Sequence, residues 1–315
     1  GWAAMEKKDY TTAVNEFQQV IDQNSRLAES YRAEGIAYYS EKAYPEAIAA
    51  FSRSLNNMDD PDKEFKKDVQ FYLAQARMDY GEVDKAIEVY SEILKAGEDE
   101  QAFFLRGKAY ISMEDYKNAE KDFQRALEGC EDYNLYINIY QIYVDHNKAV
   151  DGDAYLKMAL ELEPQDGEDC YHRGRIYEYE KNYEAARDEL KTAMEQGYED
   201  AMLLLGRVYL EMEDPASARS MYQEYLQKSE KGAKAYNGLA MCDIYDGAYD
   251  SALENIAQGL KENSKEDEQG LLYNEIVAYE YKRDFATAKE KMKIYLEQYP
   301  EDEAALRENE FLSTR

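Results

Sequence analysis

Alanine returns along this 315-residue chain at a nearly constant step: Ala13, Ala47, Ala86, Ala119, Ala186, Ala218, Ala252 and Ala288, with Gly152 in the slot between 119 and 186. By subtraction, successive ladder positions lie 32 to 39 residues apart. Self-similarity at such a period marks a protein of stacked repeats. Each repeat then touches only its neighbours, and the chain grows as an elongated solenoid instead of around one centre.

The residues around the ladder say what one repeat is. Four positions after it stands a large apolar side chain: Phe17, Phe51, Tyr90, Phe123, Leu156, Leu190, Tyr222, Ile256 and Met292. Three positions before it an aromatic is usual, as in Tyr10, Tyr44, Tyr116, Tyr183, Tyr249 and Phe285. Offsets of three and four share one helical face. Twelve positions before it a small residue recurs (Gly1, Gly35, Ala74, Gly107, Gly174, Gly206, Ala240), with Tyr140 and Ile276 as exceptions. Nine before it comes tyrosine: Tyr38, Tyr110, Tyr143, Tyr177, Tyr209 and Tyr279. The pattern predicts two helices per repeat, crossing so closely at the small residues that a methyl group is about the limit. A larger side chain there costs roughly 1–3 kcal/mol. Pro45 is placed for a first helical turn, and Pro164 and Pro300 follow apolar stretches as stops. With Pro61 and Pro215 they are the only prolines, and none falls inside a predicted helix.

The pattern resembles the tetratricopeptide repeat family, whose signature runs W-x2-L-G-x2-Y, then A-x3-F. It reads here as Tyr31, Gly35-x2-Tyr38, Ala47-x3-Phe51; as Phe103, Gly107-x2-Tyr110, Ala119-x3-Phe123; and as Leu205-Gly206-x2-Tyr209, Ala218-x3-Tyr222. Nine copies keep register along nearly the whole chain. The resemblance implies an all-α, right-handed solenoid of about nine helix-turn-helix repeats, residues 1–315 forming one array. Its first repeat is truncated at Gly1, and a polar helix over 303–312 closes the end. Two places depart from the pattern: residues 133–164, where Tyr140 and Gly152 occupy slots of unusual size, and the long step holding an insertion near Asn56–Lys67.

Charge narrows the partners. The chain has 38 Lys and Arg against 67 Asp and Glu, a formal net charge of −29. Such a surface repels phosphate backbones and anionic membranes, which weighs against an RNA-reading helical array, and no nucleic-acid partner is expected. No apolar run reaches the roughly 18 residues of a membrane span. Acidic clusters at Asp59-Asp60, Glu98 to Glu100, Asp166, Glu168-Asp169, Glu199-Asp200, Glu266 to Glu268 and Glu301 to Glu303 are each placed to precede a first helix, where carboxylates favour the helix N-terminus. Gly1 falls partway into a helix, so the sequence fits a cytoplasmic protein or an exported bacterial one whose signal has been removed.

Catalytic and metal motifs are absent from the sequence. There are two histidines, His146 and His172, and no HExxH, CxxC, phosphate-binding loop or GxSxG. Cys170 and His172 are two residues apart and point in different directions on a helix. The acidic stretch Asp145–Asp153 has calcium-loop composition, but Val150 and Leu156 stand where glycine and glutamate are needed. Cys130, Cys170 and Cys242 belong to different repeats and read as small buried hydrophobes. No cofactor or metal is expected.

What the resemblance implies is a groove. The first helix of each repeat lines a concave surface that grips extended peptides or partner helices. Carried onto this chain, those faces give Arg32, Tyr39, Phe71, Tyr72, Phe104, Lys108, Tyr171, Arg175, Tyr179, Arg207, Tyr245, Tyr273 and Tyr281, with Ile137, Gln141, Leu203 and Asn237 beside them. Tyrosine suits such a surface, offering wide amphipathic contact at small entropic cost, although each aromatic serves packing equally well. Lys108, Arg175 and Arg207 share one repeat slot. They form either a positive stripe for an acidic peptide or intrahelical pairs, Arg175 with Glu178 and Arg207 with Glu211, and pairing is favoured. The family's carboxylate clamp is not reproduced, because Ile36 stands where an asparagine is needed after Arg32. The expectation is a non-catalytic protein- or peptide-binding scaffold. The alternatives are a self-associating structural protein of the cell envelope and a regulatory arm of an enzyme whose catalytic part lies elsewhere.

Overall fold

A computed structural model gives the fold and describes residues 1–58 and 62–315. Asp59, Asp60 and Pro61, and so part of the expected insertion and one acidic cluster, lie outside the described residues. Among the described residues there are nineteen helices and no strand. No helix is long and apolar enough to cross a membrane. The helices gather into two compact units, Gly1–Met158 and Ala159–Arg315.

Unit one runs α1 (Trp2–Glu6), α2 (Tyr10–Asp22), α3 (Leu27–Ser40), α4 (Tyr44–Asn56), α5 (Lys63–Tyr80), α6 (Val83–Ala96), α7 (Glu100–Ser112), α8 (Tyr116–Ala126), α9 (Tyr133–Asp145) and most of α10 (Ala149–Leu160). Unit two holds α11 (Gly167–Tyr179), α12 (Tyr183–Glu195), α13 (Ala201–Glu211), α14 (Pro215–Lys228), α15 (Ala233–Tyr245), α16 (Tyr249–Lys261), α17 (Lys265–Tyr281), α18 (Phe285–Gln298) and α19 (Glu303–Ser313). The odd-numbered helices up to α17 are the first helices of their repeats and the even-numbered ones the second. The aromatic three before the ladder opens the second helix in six repeats, from Tyr10 of α2 to Phe285 of α18.

The ladder is the seam. All eight alanines have no exposed surface, and Gly152 is buried. The large residues four positions on are buried too, from Phe51, Phe123, Leu190 and Met292 with no exposure to Phe17 at 7%. The glycine twelve before the ladder is what lets this side chain lie flat on the neighbouring helix. A Cβ built on Gly35 would fall 2.6 Å from the Phe51 ring, one on Gly107 2.7 Å from Phe123, and one on Gly174 2.6 Å from Leu190. One residue earlier the same register carries charge. Arg106 donates two hydrogen bonds to Asp122, at 2.7 and 2.8 Å, and Arg173 donates to Glu189 at 2.8 Å.

Each hairpin closes through the same turn. The residue five before the ladder is left-handed in all nine repeats: Lys8, Lys42, Gly81, Glu114, Asn147, Lys181, Glu213, Gly247 and Arg283, with φ from 58° to 89°. The next residue's N–H donates back five positions to the carbonyl of Ala4, Tyr38, Arg77, Tyr110, Tyr143, Tyr177, Tyr209, Asp243 or Tyr279, at 2.8 to 2.9 Å. This is the six-to-one bond of a Schellman C-cap. Asp9, Asp115, Asn182, Asp214 and Asp284 then cap the second helix, each accepting from the backbone N–H three residues on. One turn thus ends a helix and starts the next.

Most of the acidic clusters take capping or first-turn places. Asp99, Asp166 and Asp302 accept backbone N–H bonds as N-caps of α7, α11 and α19. Glu266 to Glu268 differ from expectation: they lie inside the first turn of α17, whose cap is Ser264. In α19, Ala305 and Leu312 are buried while Leu306 and Phe311 are exposed.

Candidate functional site

In unit two, four successive first helices present one face to a shared hollow of about 840 Å³. Tyr171 comes from α11, Leu203 and Arg207 from α13, Asn237 and Met241 from α15, and Gly270 from α17. The repeat register explains the convergence. The small and apolar positions of each first helix are spent on the seam with its second helix, so the opposite face remains for the hollow. A smaller hollow of about 400 Å³ in unit one is lined by Asp99, Glu100, Gln101, Phe104 and Leu135.

The residues expected in a groove divide sharply. In unit one most are occupied with their own stack. Arg32 pairs with Asp68 and lies over the Tyr72 ring, 5.3 Å from its centroid. Tyr72 stacks on Phe51 at 5.5 Å, Phe71 packs against Tyr90 at 6.3 Å and Phe104 against Phe123 at 6.2 Å. The Tyr39 hydroxyl donates to Asp79, and burial pushes its pKa upward. Lys108 is exposed, with no carboxylate within 4.0 Å among the described residues. Ile137 is 2% exposed and belongs to the core, and Gln141 donates to Asp145 at 2.8 Å.

In unit two the hollow gathers Tyr171, Leu203, Arg207 and Asn237. Arg175 stands behind Tyr171, its guanidinium 5.9 Å from the ring centroid and its Nη1 3.3 Å from His172 Nδ1. Tyr179, Tyr245, Tyr273 and Tyr281 do not line the hollow. Tyr273 packs edge-on against Tyr295, and the exposed Tyr281 stacks on Tyr249 at 6.0 Å.

The expected intrahelical pair of Arg207 with Glu211 is corrected. Arg207 of α13 reaches across to Glu178 of α11, with contacts of 2.6 and 2.7 Å. Glu211 instead accepts the Tyr183 hydroxyl at 3.1 Å. Arg175, paired in expectation with Glu178, has no carboxylate within 4.0 Å among the described residues, because Glu178 is taken by its neighbour. A cross-helix bond wins here because both side chains stand on one face of adjacent first helices.

Charge in the hollow is balanced. Arg207 is neutralised by Glu178, and Lys234 lies 3.1 Å from Glu266 and 3.9 Å from Asp267. Lys231 has no carboxylate within 4.0 Å among the described residues. Burial raises the Tyr171 pKa, and Arg175, Arg207 and Lys234 oppose that rise. Among the described residues no three His, Cys, Asp or Glu side chains are grouped to hold a metal.

Tyr222, Tyr225, Lys231, Lys234 and Gly238 also line the hollow and were not legible as groove residues. Tyr222 sits at the large apolar position of its repeat and reads as core. The one available signal was Gly238, fourteen before the ladder, where Tyr72, Leu105, His172 and Leu204 stand in other repeats.

Comparison with known proteins agrees with the helical-repeat fold. A family model described as tetratricopeptide repeat matches residues 1–62, 171–232 and 203–268, and a second of the same description matches residues 100–132. Together they cover more than half of the chain. A 103-residue stretch is 26% identical to the BBSome complex member BBS4 of Bos taurus, covering 32% of this chain and 20% of that protein. Among solved structures, the yeast Tom70 structure aligns over 93% of this chain and 76% of its own, at 15% identity and a TM-score of 0.53. A repeat protein from Parabacteroides merdae aligns over 80% of this chain and all of its own, at 12% identity and a TM-score of 0.51.

Proposed function

Since the chain belongs to the tetratricopeptide repeat family, we propose that it is a non-catalytic scaffold whose unit-two hollow binds extended peptide segments of a protein partner. The observation that carries this reading is the convergence of α11, α13, α15 and α17 on one cavity with apolar, aromatic and polar walls. Such mixed lining is what a peptide site needs. Preformed helices hold these side chains without loop ordering, so little entropy is lost on binding.

The test is selection of a phage-displayed dodecapeptide library on the purified protein, followed by calorimetry with the enriched peptide. The double variant Tyr171→Ala, Arg175→Ala should lose capture while keeping its helical circular dichroism. It removes an aromatic wall and the cation held against it. A wild-type protein that enriches no peptide, or a double variant that binds as well as wild type, would refute the proposal.

A further inference from the structure

We infer that Tyr222 reads the ligand: its hydroxyl reaches the hollow between two glycines and donates a hydrogen bond to a main-chain carbonyl of the bound peptide. This rests on the peptide-binding reading of the same cavity.

Tyr222 belongs to α14, a second helix, whose residues, Tyr225 apart, do not otherwise line the hollow. Its ring nevertheless lines the hollow formed by first helices. The route is open because two helices lack a side chain where the ring passes. A Cβ on Gly206 of α13 would fall 2.6 Å from Tyr222 Cζ, and one on Gly238 of α15 would fall 2.3 Å from the same atom. Cζ carries the hydroxyl, so it is the polar end that lies between the glycines. Gly206 is part of the repeat pattern, whereas Gly238 is not. At that position Tyr72 stacks on Phe51 and closes the gap in unit one.

The residue is 4% exposed, yet its hydroxyl makes no hydrogen bond to any described residue. The hydroxyl is open to the hollow, where a ligand carbonyl can take the place of water. Burial also raises the Tyr222 pKa, which keeps the group a donor at neutral pH.

The neighbours select the chemistry. Asn237, beside Gly238, has its Oδ1 taken by Asn274 Nδ2 at 2.8 Å, and its own amide protons have no acceptor among the described residues. Two donors therefore line the hollow. Arg207 and Lys234 are already neutralised, and Asp200, Glu262, Glu266 and Asp267 outnumber the one remaining cation, Lys231, among the lining residues, so an anion is not drawn there. An uncharged carbonyl fits both donors. The absent side chain at Gly270 lets a ligand backbone approach closely.

The probe is the dodecapeptide enriched on wild type, synthesised with an amidated C-terminus. Its affinity is compared for wild type, Tyr222→Phe, Gly238→Ala and, as a control in unit one, Tyr90→Phe. Loss of one neutral hydrogen bond predicts roughly five- to tenfold weaker binding by Tyr222→Phe, with thermal stability retained. Gly238→Ala should weaken binding as well by displacing the ring, and Tyr90→Phe should not change it. Equal affinity of Tyr222→Phe and wild type, for a peptide that the Tyr171→Ala, Arg175→Ala variant loses, overturns this inference and leaves the proposed function standing. Enrichment of acidic peptides whose binding depends on Lys231 overturns the carbonyl assignment. Enrichment of no peptide overturns both readings.

Discussion

Tyr140 of α9 packs against Gly152 of α10 at a seam where both repeat positions are usually small. Seven repeats put glycine or alanine where α9 carries Tyr140, and eight put alanine where α10 carries Gly152. A Cβ on Gly152 would lie 3.0 Å from Tyr140 Cδ2 and 3.0 Å from Tyr143 Cβ. The missing methyl at Gly152 leaves room at the seam for the Tyr140 ring.

This contact gives the first prediction. In an open helical position, Gly→Ala stabilises by about 1 kcal/mol. At Gly152 the added methyl meets two tyrosines, so Gly152→Ala should instead destabilise by about 1 kcal/mol or more. In a Tyr140→Ala background the cost should shrink. Urea denaturation of the four proteins in this double-mutant cycle measures the coupling, and additive effects would show that the two residues do not compensate.

The hairpin turns give the second. Glu114 is exposed and left-handed at φ 58°, a conformation that a Cβ disfavours by roughly 1–2 kcal/mol. Glycine escapes that strain but has more freedom to lose on folding. Glu114→Gly should therefore raise stability by a few tenths to about 1 kcal/mol, and Glu114→Val should lower it. A lower urea midpoint for the glycine variant would argue that the side chain at this turn makes a contact worth more than the strain.

The third concerns pH. Burial of the Glu280 carboxyl on α17, aided by the charge of Glu308 on α19, pushes its pKa up from 4.5 to about 7. Its Oε1 is buried without a hydrogen-bond partner. The folded state holds this proton more tightly than the unfolded one, so the protonated group favours folding. That stability is fully present below pH 4.5 and is lost as pH rises through 7. Amides of α19 should exchange faster with solvent at pH 8 than intrinsic rates explain, relative to pH 5. Glu280→Gln should flatten that difference. An α19 whose protection is equally pH-dependent in the variant would remove Glu280 as the cause.

The order of residues along this chain determined the repeat, its two helices and its seam. Those features follow from positions three, four, nine, twelve and sixteen residues apart, which helical geometry and contact between neighbours turn directly into burial, as Gly35 against Phe51 shows. Register also marks which face of each first helix is left over, and Tyr171, Leu203, Arg207 and Asn237 on that face line the unit-two hollow. Tertiary structure alone decided how that face is used. Glu178 captures Arg207 from another helix, and Tyr222 comes through from the far side of the seam. Lys8, Glu114 and Arg283 are held left-handed although their side chains disfavour it. Each outcome depends on how one helix is set against another, a geometry summed over many contacts at once, so a repeat pattern read along one strand of residues does not contain it.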